Sequence, residues 1–267
     1  MSLPLFRHTV SANAVRLVVI SVGLALMGTI MPVIFVAFGQ EIGAFVERIP
    51  ILAQFSNFGG ANLFSLDGSI ALGVTHPMTL LLVGIMAVAF PALAIAGEHD
   101  KGTLEVTLAR PVSRRGLFIT LYVAGLLFLA LLLAILVSAA TLSTIAVGLG
   151  DEIRAGRMVQ LWLAGWLLFT GFMSLAFLVS TQSDRAGPAI GIPAAFVLIN
   201  YLAFAIGSIW PDQAWLQDYS MFNLLKAQDV LQSGIAPSDM LIMLAFSVLF
   251  VMLALYLFPR RDIPAPS

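Results

Sequence analysis

Six stretches of this sequence, residues 17–38, 77–96, 117–149, 159–180, 186–210 and 240–258, contain no Asp, Glu, Lys or Arg. That feature constrains the fold most. A membrane-spanning helix needs about 20 predominantly apolar residues. Hydrocarbon offers no partner for backbone N–H and C=O groups, so runs of this kind cross it as helices. The chain is therefore expected to be an all-α polytopic membrane protein, with six transmembrane helices in a single domain over residues 1–267. Composition agrees, since only 10% of residues are charged against about 25% in ordinary globular domains. A signal-peptide core is about 7–15 residues long; the longer first run reads as a retained span.

Lys and Arg set the expected orientation through the positive-inside rule. With both termini on one side, that side carries Arg7, Arg16, Lys101, Arg110, Arg114, Arg115, Arg185, Arg260 and Arg261. The other side carries Arg48, Arg154, Arg157 and Lys226. Nine against four predicts cytoplasmic termini. Trp162 and Trp166 at the start of the fourth run, with Trp210 and Trp215 after the fifth, are expected interfacial anchors. The third run would make a helix of roughly 50 Å against a ~30 Å core, so projection at one end is expected.

The fifth run holds Pro188, Pro193 and a Gly187–Gly191 GxxxG, which predicts a kinked helix with a close-packing face. Asn200, the most polar side chain within the runs, reads first as interhelical glue. Thr170, Ser174 and Asn200 together are the residues expected along any substrate path. Two outer segments, 39–76 and 211–239, are too long for simple turns. In the second, Phe222, Leu224, Leu225 and Leu231 recur beside Asp218, Lys226 and Asp229. This predicts a short amphipathic helix at the outer interface or capping the bundle.

Between the second and third runs lies "GEHDKGTLEVTLARPVSRRG", residues 97–116. Glu98 to Lys101 form a polar exit, and Gly102 permits a sharp change of direction. Thr103 is a candidate N-cap for "TLEVTLA", where Leu104 and Leu108 form an i,i+4 pair. Pro111 ends that helix by excluding Arg110 from helical geometry, and Ser113 can cap the next one. The expected product is a short helix over 98–113, bent at each end, whose apolar pair needs a partner surface.

This stretch resembles the signature of ABC-2-type transporter permeases, in which a Glu-containing turn is followed by Gly-Thr-Leu, a short helix and Pro-(Val/Leu)-Ser-Arg. The tail "LYLFPRRDI", residues 255–263, is similar to the family's aromatic-basic-acidic ending. Leu121 departs from the pattern, because many members carry a lysine there. The resemblance implies an ABC-2 (type V exporter-like) permease fold. It further implies a membrane subunit of an ATP-driven exporter, paired with a second permease chain as homodimer or close paralogue. Two copies of a separate ABC ATPase subunit would bind ATP and Mg, with no cofactor in this chain. It assigns ATPase coupling to the 98–113 helix, with Glu98, Asp100, Gly102, Thr103, Leu104, Leu108, Arg110, Pro111, Ser113 and Arg114 as its residues. It also implies an amphipathic segment before the first span, here residues 3–16, along the inner surface of the cell (inner/plasma) membrane.

Several function classes are disfavoured by the residues themselves. A net charge of −1 gives no basic stripe for nucleic acid. There is no cysteine, and His8, His76 and His99 are widely spaced, so no metal-ligand pattern is present. A P-loop needs GxxxxGK[ST], yet Lys101 is followed by Gly and Lys226 by Ala. An intramembrane enzyme would need a base beside Ser138, Thr141, Thr170 or Ser174, and the runs supply none. A secondary transporter or channel is the alternative, but ion-coupled carriers usually place ionisable residues within their spans. Uncharged spans favour an apolar or amphipathic cargo.

Overall fold

The computed structural model describes residues 2–46, 64–103 and 113–261, and every regular element among them is helical. Six helices are long and apolar enough to cross a membrane. The first, α1 (Leu3–Val46), is one 44-residue helix. Residues 3–16 are therefore not a separate surface helix but the continuous start of the first span. Pro4 lies in the first turn, where its missing N–H costs no bond, and no glycine interrupts the stretch before residue 23. The Ser2 N–H donates to Thr120 Oγ1 at 3.1 Å, fixing the start of α1 to another span.

After the outer segment, α2 (Leu66–Thr75) starts at Ser65, whose Oγ accepts the Gly68 N–H at 3.0 Å. The helix stops at His76, whose ψ of 140° is extended as expected before Pro77. Most of α2 is buried. This part of the expected outer interfacial segment thus lies inside the bundle, while residues 47–63 lie outside the described residues.

The second span, α3 (residues 77–100), alternates between helix types. Pro77–Gly84 is α-helical, Ile85–Ala89 π-helical, Phe90–Ala92 α-helical, Leu93–Gly97 π-helical and Glu98–Asp100 α-helical. Pro91 sits between the two π turns, lacks an N–H and crowds the preceding turn. A π turn takes up the mismatch locally without ending the helix.

The remaining spans are α4 (Arg114–Ala146), α5 (Ala155–Gln182), α6 (Ala186–Ile209) and α8 (Pro237–Leu257). α1 packs along α4, and α5 touches α3, α4, α6 and α8, making it the most buried span. Close approach of α1 and α4 depends on Gly28, where a Cβ would stand 2.4 Å from the Leu136 carbonyl oxygen. Phe90 lies at the centre of one aromatic cluster, its ring 5.4 Å from Phe128 and 6.1 Å from Phe177. α6 is continuous through Pro193, and Pro188 falls in its first turn. Gly187 and Gly191 have no neighbour within 4 Å of a built Cβ, so the GxxxG face meets no helix of this chain among the described residues.

Trp162 and Trp166, expected as interfacial anchors, bond within the bundle. Their indole N–H groups donate to the Ala130 and Leu126 carbonyls of α4 at 2.9 and 3.0 Å, and their rings stack. Each carbonyl is already in a helix but keeps a second lone pair. Residues 211–239 were expected to hold a short amphipathic helix at the interface or capping the bundle. They make two 3₁₀ stretches, Pro211–Tyr219 and Met221–Leu224, then α7 (Ala227–Gln232). Phe222, Leu225 and Leu231 are buried in the core, so the segment folds inward as a cap. Lys226 takes a left-handed φ of 37° at this turn and pairs with Asp239 at 3.4 Å.

Candidate functional site

Both chain ends meet the start of α4, through Ser2 with Thr120 and through the Arg261 carbonyl, which accepts from the Arg114 guanidinium. At this terminal face, α3 ends in a tight turn. The Gly102 N–H donates to the His99 carbonyl and the Thr103 N–H to the Glu98 carbonyl, both at 2.9 Å. That pair of bonds is a Schellman motif, and Gly102 adopts the left-handed φ of 69° it requires. The Thr103 hydroxyl turns back to Glu98, donating to its carboxylate at 2.6 Å and reaching its carbonyl at 3.1 Å. The helix that Thr103 was expected to cap lies outside the described residues, together with Leu104, Leu108, Arg110 and Pro111. At the far end of that segment, Ser113 is extended and its Oγ accepts the Gly116 N–H at 3.0 Å, capping α4.

The end of α3 is tied sideways to the α5–α6 turn. The Asp100 carboxylate accepts the Ala186 N–H at 3.3 Å, placing negative charge at the N-terminus of α6, where the helix dipole favours it. His99 Nδ1 lies 3.1 Å from the Asp184 carbonyl oxygen, to which it donates when protonated there.

Arg261 completes the arrangement from the other end of the chain. Its guanidinium donates to the Thr181 and Ser183 carbonyls at 2.7 and 3.1 Å and pairs with the Asp184 carboxylate. A cation thus satisfies carbonyls at the C-terminus of α5, where the dipole favours positive charge. The exit of α3, the start of α4, the α5–α6 turn and the end of α8 therefore form one hydrogen-bonded clasp. Asp100 and Arg114, expected coupling residues, belong to it. His99, Asp184 and Arg261 also belong, although the sequence reading gave them no such role. The available signals were a polar pair, Asp184-Arg185, between two apolar runs, and the basic tail, read only as an anchor.

A second junction links α5 to α3 one turn deeper. Ser180 Oγ accepts the Ala96 N–H at 3.1 Å and donates to the Pro91 carbonyl at 2.8 Å. It thereby bonds backbone groups beside the second π turn of α3.

The residues expected along a substrate path do not assemble into one. Asn200 donates from Nδ2 to the Phe196 carbonyl, while its Oδ1 and carbonyl accept the Met221 N–H and Ser220 hydroxyl at 2.9 and 2.7 Å. It holds the 211–239 cap to α6. Ser174 bonds Tyr122 at 2.8 Å and the Thr170 carbonyl at 2.7 Å. Thr170 is buried and its hydroxyl has no partner among the described residues. None of the three lines the apolar cavity of about 510 Å³ between α4 and α5, which is bounded by Val137, Ser138, Thr141, Met158 and Trp162. None lines the cavity of about 280 Å³ at the terminal face.

Comparison with known proteins supplies the family. Residues 9–263 match a family model described as ABC-2 family transporter protein. The uncharacterized protein YhcI of Bacillus subtilis (strain 168) is 26% identical over 204 residues, 68% of this chain. The match spans 65% of that relative's length, just under two thirds. With six membrane-spanning helices and a family match over nearly its whole length, the chain belongs to the ABC-2 transporter family as a multi-pass membrane protein.

Proposed function

We propose that this chain is the permease subunit of an ATP-driven ABC transporter. It exports an apolar or amphipathic cargo and couples to a separate ATPase through residues 98–113. Both termini and the clasp lie on the cytoplasmic side of the cell membrane, as the Lys and Arg distribution favours. The full transporter holds two permease chains, as homodimer or with a close paralogue, and two ATPase copies. ATP and Mg are bound on the ATPase. The single observation that carries this reading is the clasp. The segment 98–113 is anchored at Gly102 and Ser113, and both anchors adjoin bonds to the ends of four other elements. A push on such a segment is passed to α3, α4, α6 and, through Arg261, to α5 and α8. The unpartnered Gly187–Gly191 face supports contact with a second permease chain.

The test is purification of the tagged chain from its native membrane, followed by ATPase assay. An ABC ATPase co-purifies, and Glu98→Lys and Pro111→Ala each lower stimulated turnover while membrane insertion is unchanged. Failure of any ATPase to co-purify would contradict the reading and favour a carrier; wild-type turnover in both variants would contradict the coupling role.

A further inference from the structure

The cavity of about 280 Å³ at the terminal face lies among α1, α3 and α4. It lies beside the clasp and shares Glu98 and Lys101 with the 98–113 segment. Its α1 wall is one helical face, with Thr9 and Asn13 buried and His8 and Arg16 at the rim. Its floor is apolar, formed by Phe90, Leu93, Leu117 and Leu121, and its opposite rim holds Lys101 and Glu98. The rim lies at the ends of the apolar runs. Arg16 immediately precedes the first apolar run, Lys101 follows the second, and Leu117 begins the third.

The charges at the rim are unequally satisfied. The Glu98 carboxylate accepts the Thr103 hydroxyl at 2.6 Å and so is held toward the turn. Among the described residues the Lys101 ammonium makes no hydrogen bond or ion pair. Among the described residues Arg16 donates only from Nη1 to Asn13 Oδ1, at 3.4 Å, leaving most of its five N–H donors without a partner there. Arg16 and Lys101, cations on opposite sides of the mouth with no carboxylate partner among the described residues, stand above an apolar floor and complement a phosphate attached to acyl chains. Basic pockets between membrane helices bind acidic lipid headgroups by this chemistry.

We propose that this cavity is a binding site for the headgroup of an anionic phospholipid, with Arg16 and Lys101 holding the phosphate. His8 faces the same space. The apolar floor takes the first methylenes of the acyl chains. It separates a lipid from free inorganic phosphate, which gains nothing from Leu117 and Leu121.

The experiment is native mass spectrometry of the purified full-length chain, titrated with phosphatidylglycerol or phosphatidylcholine. Wild type retains phosphatidylglycerol in preference to phosphatidylcholine, and excess inorganic phosphate does not displace it. Arg16→Gln and Lys101→Gln each weaken phosphatidylglycerol retention about fivefold. A third variant, Leu121→Trp, fills the floor and lowers retention without altering charge. Helical circular dichroism of each variant must match wild type; where Leu121→Trp fails to fold, the two charge variants decide alone. Equal retention of the two lipids, displacement by phosphate, or wild-type retention in both charge variants would overturn the site. Every readout is independent of an ATPase, so failure here and failure of the transporter reading are distinguishable.

Discussion

Ser180 shows how much one hydroxyl can carry inside a membrane. Its Oγ replaces backbone partners on α3 beside Pro91, accepting from Ala96 and donating to Pro91. Ser180→Ala leaves a buried N–H and a buried carbonyl without that oxygen, and each unsatisfied group costs about 1–3 kcal/mol. The expected result is loss of stability of that order in thermal or denaturant unfolding of the purified chain, with Ser180→Thr retaining more than Ser180→Ala. Equal stability of the alanine variant would remove the role. The other span hydroxyls were readable as backbone-bonding groups. Thr141 bonds the Val137 carbonyl and Ser174 the Thr170 carbonyl, both four residues back. Which hydroxyl would cross to a neighbouring helix was not readable, because that depends on α5 lying against α3. Gly102 and Ser113 were legible for the opposite reason: a left-handed turn and an N-cap are local demands on one or two residues. The Thr103 hydroxyl also bonds Glu98 across the turn, while the helix it was expected to cap lies outside the described residues.

Among elements, the pairs α1–α4 and α8–α5 make separate predictions. Gly28 lets α1 approach α4 so closely that a Cβ would overlap the Leu136 carbonyl. Gly28→Ala must push the helices apart, at a cost of about 1–3 kcal/mol, read as a lower unfolding midpoint of the purified chain. At the clasp, the Asp184 side chain is 70% exposed and that of Arg261 15% exposed. An ion pair with one exposed partner contributes little, about 0–1 kcal/mol, so Asp184→Asn is expected to be nearly neutral. Arg261→Gln removes donors from two helix-terminal carbonyls as well, and is expected to destabilise more than Asp184→Asn in the same assay. The reverse order would mean that charge, not carbonyl capping, holds the tail. The long spans were legible because uninterrupted apolar runs leave helices as the only solution. Residues 3–16 were misread because amphipathic spacing does not distinguish a helix on the bilayer from one continued into a span. For the same reason spacing alone left 211–239 open between the interface and the bundle. The bonds of the Trp162 and Trp166 indoles were not legible, since they depend on α5 lying against α4.

Across the whole molecule, the two ends of the chain and three inter-span junctions converge on one face. That convergence makes the face the proposed entry point for mechanical work, with α5, the most buried span, at the centre of the bundle. Residues 98–113 are the proposed contact, with Leu104 and Leu108 offered to the ATPase. The most direct test places a photo-crosslinking phenylalanine analogue at Leu104 or Leu108 in the co-expressed transporter, with Leu149 on the opposite face as control. Adducts between the chain and the ATPase at Leu104 or Leu108, and none at Leu149, are the predicted result. No adduct at either position, or equal adducts at Leu149, would contradict the account.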